Sequence, residues 1–154
     1  MKNYADTNFF TAVFADIDST ATATSLFDEL RRRGELLPVT RLLRMEYTNA
    51  MERLVFESRR GQQGLRVTPE NALLARASFD DILEDGNVLQ WTALPEDELE
   101  RTFETLAYRH TAKEGFRTYD LLHVASALLL GCDAFWSFDK KACRLARLEG
   151  LRTF

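Results

Sequence analysis

The sequence predicts an α/β protein, a mostly parallel sheet of short strands with helices on both faces. Three observations carry this. Short candidate strands at residues 2–6, 36–39, 88–94 and 134–138, the last three mostly apolar, alternate with longer stretches whose apolar residues recur three or four apart. Capping residues or prolines open the longer stretches, and glycines close several of them. Strands that alternate with helices pair in parallel, and right-handed crossovers bring their C-terminal ends to one edge. At 154 residues, a single domain over 1–154 is expected, large enough for a real core.

The first strand must be brief, because Asp6-Thr7-Asn8 follows almost at once and Phe9, Phe10, Val13 and Phe14 then fall at helical spacing. Asp6 thus sits where a strand gives way to a helix, the edge at which open α/β sheets bind ligands. It could equally be a simple N-cap. A second helix opens at Asp18-Ser19-Thr20 and ends in Arg31-Arg32-Arg33-Gly34, with cations and glycine where a helix C-terminus favours them. Residues 36–39 read as a second strand, made irregular by Pro38. Thr40 caps a long helix to about Arg59, whose apolar stripe is bordered by Glu46, while Glu52 and Glu57 face solvent. Residues 61–64 form a loose loop, and Thr68-Pro69-Glu70 starts a helix that turns Ala72, Leu73, Ala75, Phe79, Ile82 and Leu83 inward. A third strand over 88–94 and a helix from Pro95 lead to Gly115.

The most apolar stretch, Leu121 to Leu130, is interrupted only by His123 and Ser126 and reads as a buried helix. It is too short to span a bilayer, which takes about 20 residues. Thr118 caps it and Gly131 ends it; a strand at 134–138, a helix from Lys140 to Glu149 and a short terminal strand at 151–154 complete the chain.

Composition narrows the function. With 45% apolar and 29% charged residues the chain is an ordinary globular one, and without an apolar leader it is expected to stay in the cytoplasm, away from membranes. Two cysteines and two histidines leave no disulfide framework, no Cys-x-x-Cys motif and too few ligands for a His-rich zinc site. A net charge of −4 runs against a typical nucleic-acid binder, although arginines and lysines cluster locally. There is no Gly-x-Ser-x-Gly elbow, P-loop or Gly-x-Gly-x-x-Gly.

Four carboxylates are expected near the strand edge: Asp6, Glu46, Asp120 and Asp139. Clustered carboxylates repel unless a cation neutralises them, and all-oxygen ligation suits Mg²⁺ or Mn²⁺. Each has an ordinary reading as well, a cap or an edge salt bridge. His123, one turn beyond Asp120, is read as a satisfied histidine of the core or behind the site in preference to a base.

Asp6-Thr7-Asn8, Glu46, Tyr119-Asp120-Leu-Leu-His-Val-Ala-Ser-Ala127 and Ser137-Phe138-Asp139 together resemble the signature blocks of PIN-domain proteins, most of all VapC-type toxin ribonucleases. The resemblance implies a three-layer α/β/α sandwich and a Mg²⁺- or Mn²⁺-dependent endoribonuclease, with Asp6, Glu46, Asp120 and Asp139 as the acidic catalytic and metal-site residues. It implies polar support from Asn8 and Ser137, an RNA substrate, a homodimer and a cognate antitoxin. Lys140, Lys141 and Arg144, beside Asp139, are the candidate phosphate contacts. The alternative is a PIN-like module that binds RNA or protein without cutting.

Overall fold

The computed structural model describes residues 1–62 and 64–154; Gln63, in the loop expected at 61–64, lies outside the described residues. Elements follow in the expected order: β1 (Asn3–Ala5), α1 (Thr7–Phe14), α2 (Thr20–Arg33), β2 (Leu37–Val39), α3 (Arg41–Arg59), α4 (Pro69–Asp85), β3 (Leu89–Trp91), α5 (Glu96–Leu106), α6 (Ala112–Glu114), α7 (Thr118–Leu129), β4 (Ala134–Trp136) and α8 (Lys140–Leu148). A π-helical stretch, Ala107–Thr111, joins α5 to α6.

Local chemistry explains most boundaries. Thr40 accepts the Leu43 N–H at 3.2 Å to start α3, and Thr68 and Asn71 form a reciprocal capping box ahead of Pro69 at the start of α4. Gly34, Gly86 and Gly131 take left-handed backbone at or just beyond the ends of α2, α4 and α7. Thr118 is not the cap of α7. Arg117 holds that position, because the Asp120 carboxylate reaches back to accept its N–H at 3.0 Å.

Among the described residues all strand pairing is parallel, as expected, but the strands are only three residues long and form two pairs. Asn3, Tyr4 and Ala5 lie beside Ala134, Phe135 and Trp136; Leu37, Pro38 and Val39 lie beside Leu89, Gln90 and Trp91. β1 runs next to β2 without a ladder between them. Pro38 lacks an N–H, and Leu37 spends its own on Val88 at 2.8 Å, so neither can donate to a second neighbour. The terminal strand reduces to one bridge, Ala134 to Arg152.

The helices form two groups around these strands. One joins α1, α2, α3 and α4; the other joins α5, α7 and α8. Buried apolar residues from Tyr4 to Leu151 make one continuous core, with Tyr47 stacked on Phe79 at 4.4 Å. Leu73, expected inside, is 59% exposed next to Leu74, because α4 turns only Ala72, Ala75, Phe79 and Leu83 fully inward. Glu57 is half-buried where solvent exposure was expected, since Arg53 holds it across one helical turn. Both cysteines are buried and free. No helix among the described residues is long and apolar enough to cross a membrane.

Candidate active site

β1 and β4 end side by side, and the chain turns into α1 after the first and α8 after the second. Asp6 leaves β1 with its N–H on the Trp136 carbonyl at 3.1 Å, and its side chain caps α1 through the Phe9 N–H at 3.0 Å. Asp139 caps α8 through the N–H groups of Lys141 and Ala142 at 2.7 and 3.3 Å. Both candidate site residues are therefore N-caps as well. Asp120 faces them from the first turn of α7, and Glu46 from the second turn of α3.

All four carboxylates line one groove of about 660 Å³, together with Asn8, Arg53, Arg117 and Tyr119. Their surroundings differ. Asp6 is buried, and loss of hydration pushes its carboxyl up to about 6, against the opposing pull of His123 and of hydrogen bonds from Ser137 and the Phe9 N–H. Burial also raises Glu46, but hydrogen bonds from His123 and Thr7 outweigh it and leave the carboxyl below its ordinary value. Asp139 is likewise lowered, because the Lys141 N–H, Arg117 and the Ala142 N–H outweigh its partial burial.

Asn8 and Ser137, expected to hold a carboxylate or a metal-bound water, both lie beside the strand ends that carry Asp6 and Asp139. Asn8 accepts the Phe138 N–H at 3.0 Å, tying α1 to the loop that carries Asp139. The buried Ser137 hydroxyl accepts the Asp139 N–H at 2.9 Å and serves Asp6 as well. His123 is the satisfied histidine expected. Its Nδ1 meets the Tyr4 hydroxyl at 2.8 Å, and its Nε2 meets the Glu46 carboxylate, which also accepts from Thr7 at 2.6 Å.

Other groups were missed. Nothing in the sequence marks Thr7 as a partner of Glu46, or Tyr4 as a partner of His123. Arg117 is the more consequential omission. Its guanidinium meets Asp120 at 3.1 Å and Asp139 at 2.6 Å, inside the carboxylate cluster. An arginine just ahead of a helix whose third residue is acidic was the available signal. Lys140, Lys141 and Arg144 do not line the groove, and Arg144 is engaged by Glu114 at 2.7 and 2.8 Å.

The donor set fits a hard divalent cation: it is all oxygen, and buried Asp6 is short of positive charge. Among the described residues, however, no three acidic, histidine or cysteine side chains converge on a ready cage. Asp120 and Asp139 are turned onto Arg117, while Glu46 is turned onto Thr7 and His123.

The family model for the PIN domain matches residues 4–148. The chain belongs to the PIN domain family. Its PIN fold is shared with solved structures of low sequence identity. One is Mycobacterium tuberculosis VapC20, a toxin that cleaves the sarcin-ricin loop (17% identity, 97% of this chain and 96% of that one, TM-score 0.66). Another is FitAcB from Neisseria gonorrhoeae (12% identity, 99% and 96%, TM-score 0.59). A third is PAE2754 from Pyrobaculum aerophilum (16% identity, 99% and 89%, TM-score 0.54). A comparison with curated proteins gives no significant match. The mostly helical α/β architecture with short parallel strands is the PIN-like one, as the resemblance implied.

Proposed function

We propose that this PIN protein is a Mg²⁺- or Mn²⁺-dependent endoribonuclease and the toxin of a toxin–antitoxin pair. The observation that carries the reading is the groove itself, where four carboxylates from four separate segments meet in a chain of this family. Its structural neighbours include VapC20 and FitAcB, which adds support for the toxin role and for a cognate antitoxin.

In this reading Asp6, Asp120 and Asp139 hold the cation, with Glu46 at its edge. Such an ion, when bound, supplies positive charge against the phosphate and lowers the pKa of nearby water. Glu46, ionised and held by Thr7 and His123, is fixed to accept a proton from a water entering the groove. Ser137 and Asn8 keep the two strand ends together, so that Asp6 and Asp139 stay on the same side of the phosphate. Tyr119, half exposed on the groove wall, offers a face on which an unpaired base can stack.

The test is cleavage of a mixed pool of structured RNAs with Mg²⁺ or Mn²⁺, beside EDTA and an Asp6→Asn/Asp120→Asn variant. Metal-dependent cutting that disappears in the variant is the expected result; equal cutting by the variant would refute the assignment. The engagement of Asp120 and Asp139 by Arg117 favours a second reading, a PIN module that grips RNA without cutting it. That reading predicts RNA binding with no cleavage and no metal-induced rise in melting temperature.

A further inference from the structure

Arg117 stands at the mouth of the groove with its backbone anchored and its side chain unequally placed. The side chain is 64% exposed, whereas that of Asp120 is 6% exposed and that of Asp139 is 30% exposed. A carboxylate as buried as Asp120 needs a cationic or hydrogen-bonding partner close by. The guanidinium meets that need with Nε and Nη2 on Asp120 and Nη2 on Asp139, bridging the two segments. Partners this exposed are screened by water and are readily exchanged. The Arg117 N–H bond to Asp120 does not depend on where the guanidinium points, so the helix start survives its departure.

Resting on the nuclease reading above, we propose that Arg117 is an internal counter-ion that exchanges with the metal. In the metal-free protein it holds Asp120 and Asp139 together. When a divalent cation enters, the guanidinium gives up both carboxylates and turns to a phosphate of the RNA, for which its planar fork is suited. The exchange accounts for the absence, among the described residues, of a three-carboxylate cage while Arg117 is engaged. It also accounts for tolerating the acidic groove in the metal-free protein, and it places a cation on the groove wall, which Lys140, Lys141 and Arg144 do not line.

The test titrates Mn²⁺ into wild type, Arg117→Lys and Arg117→Met, following thermal melting, and then measures KM and kcat for RNA at saturating Mn²⁺. Arg117→Met is expected to melt lower than wild type without metal but alongside it at saturation. Its Mn²⁺ half-saturation should fall on the order of tenfold, as the loss of charge-assisted hydrogen bonds implies. Its KM for RNA should rise on the order of tenfold for the same reason, with a smaller change in kcat. Arg117→Lys, which keeps charge without the fork and guards against a poorly folding methionine variant, should lie between. A drop in melting that is equal with and without Mn²⁺ would reduce Arg117 to a surface ion pair, and weaker Mn²⁺ binding would make it a supporter of the metal; either overturns the exchange, as does an unchanged KM. No Mn²⁺ response in wild type or variants sinks the nuclease reading itself, and the exchange with it. A response in Arg117→Met alone supports the exchange, with Arg117 outcompeting the ion.

Discussion

Asp6 carries a conflict between burial and charge that can be measured. Its folded-state carboxyl, pushed up to about 6, binds a proton more tightly than the unfolded chain's, at 3.8. The folded state therefore holds more protons between these values, and stability from this group is greatest below pH 4 and is lost as pH rises through 6. Asp6→Asn, which keeps the N-cap, should stabilise the metal-free protein at pH 7.5 by up to about 3 kcal/mol, since each pKa unit is worth about 1.4. The gain should vanish near pH 4, and cleavage should be lost throughout; melting in EDTA at the two pH values checks the first part. Tyr4 has a subtler role. Its hydroxyl at Nδ1 of His123 fixes the orientation of the ring, with Nε2 pointed at Glu46. Tyr4→Phe should cost about 1 kcal/mol of stability but at least about tenfold in kcat. A kcat equal to that of wild type would show that Glu46 does not depend on this chain of hydrogen bonds.

Helix starts place the chemistry: α1, α7 and α8 each present a carboxylate in or just before the first turn. Carboxylates suit those positions because they meet unpaired N–H groups and the positive end of the helix dipole. Asn8 ties two of these starts together, so Asn8→Ala should leave the Phe138 N–H without its acceptor and loosen the Asp139 loop. We expect stability to fall by about 1 kcal/mol in melting, with a fall in cleavage larger than that loss of folded protein explains. Lys140 and Lys141 are exposed on the first turn of α8, whereas Arg144 is paired with Glu114. Charge reversal of both lysines should flatten the salt dependence of RNA binding, by about 0.7 in log–log slope for every phosphate no longer neutralised. Arg144→Ala should change that slope little, because its guanidinium is already engaged. An unchanged slope in the double reversal would remove α8 from the RNA path.

Across the whole molecule, the two helical groups meet at short strands, and the groove lies where α1 and α3 face α7 and α8. A cation bound there links segments far apart in sequence, so it should stabilise the fold as a unit. At 100 times its dissociation constant it should add about 2.7 kcal/mol to unfolding, reversed by EDTA and absent in Asp6→Asn/Asp120→Asn. Calorimetric melts with and without Mn²⁺ read this directly. The proposed cytoplasmic toxin role predicts that the chain arrests growth when expressed alone, and that an inhibitory partner relieves it.

Element order, most helix caps and the convergence of Asp6, Glu46, Asp120 and Asp139 on one strand edge were legible in the sequence alone. Capping, periodicity and the strand-to-helix switch are local, acting within a turn or two, so residues such as Thr40, Thr68 and Gly131 declare themselves. Partnerships that decide how the quartet works are not local. Glu46 meets His123 across 77 positions and Asp139 meets Arg117 across 22, and no spacing rule links such residues. Whether β1 and β2 share a ladder was likewise open until the backbone showed where the N–H of Leu37 goes. The sequence by itself determined which carboxylates could meet. Tertiary packing alone decided that two of them face an arginine and a third faces a histidine, because only folding sets which distant side chains share one desolvated space.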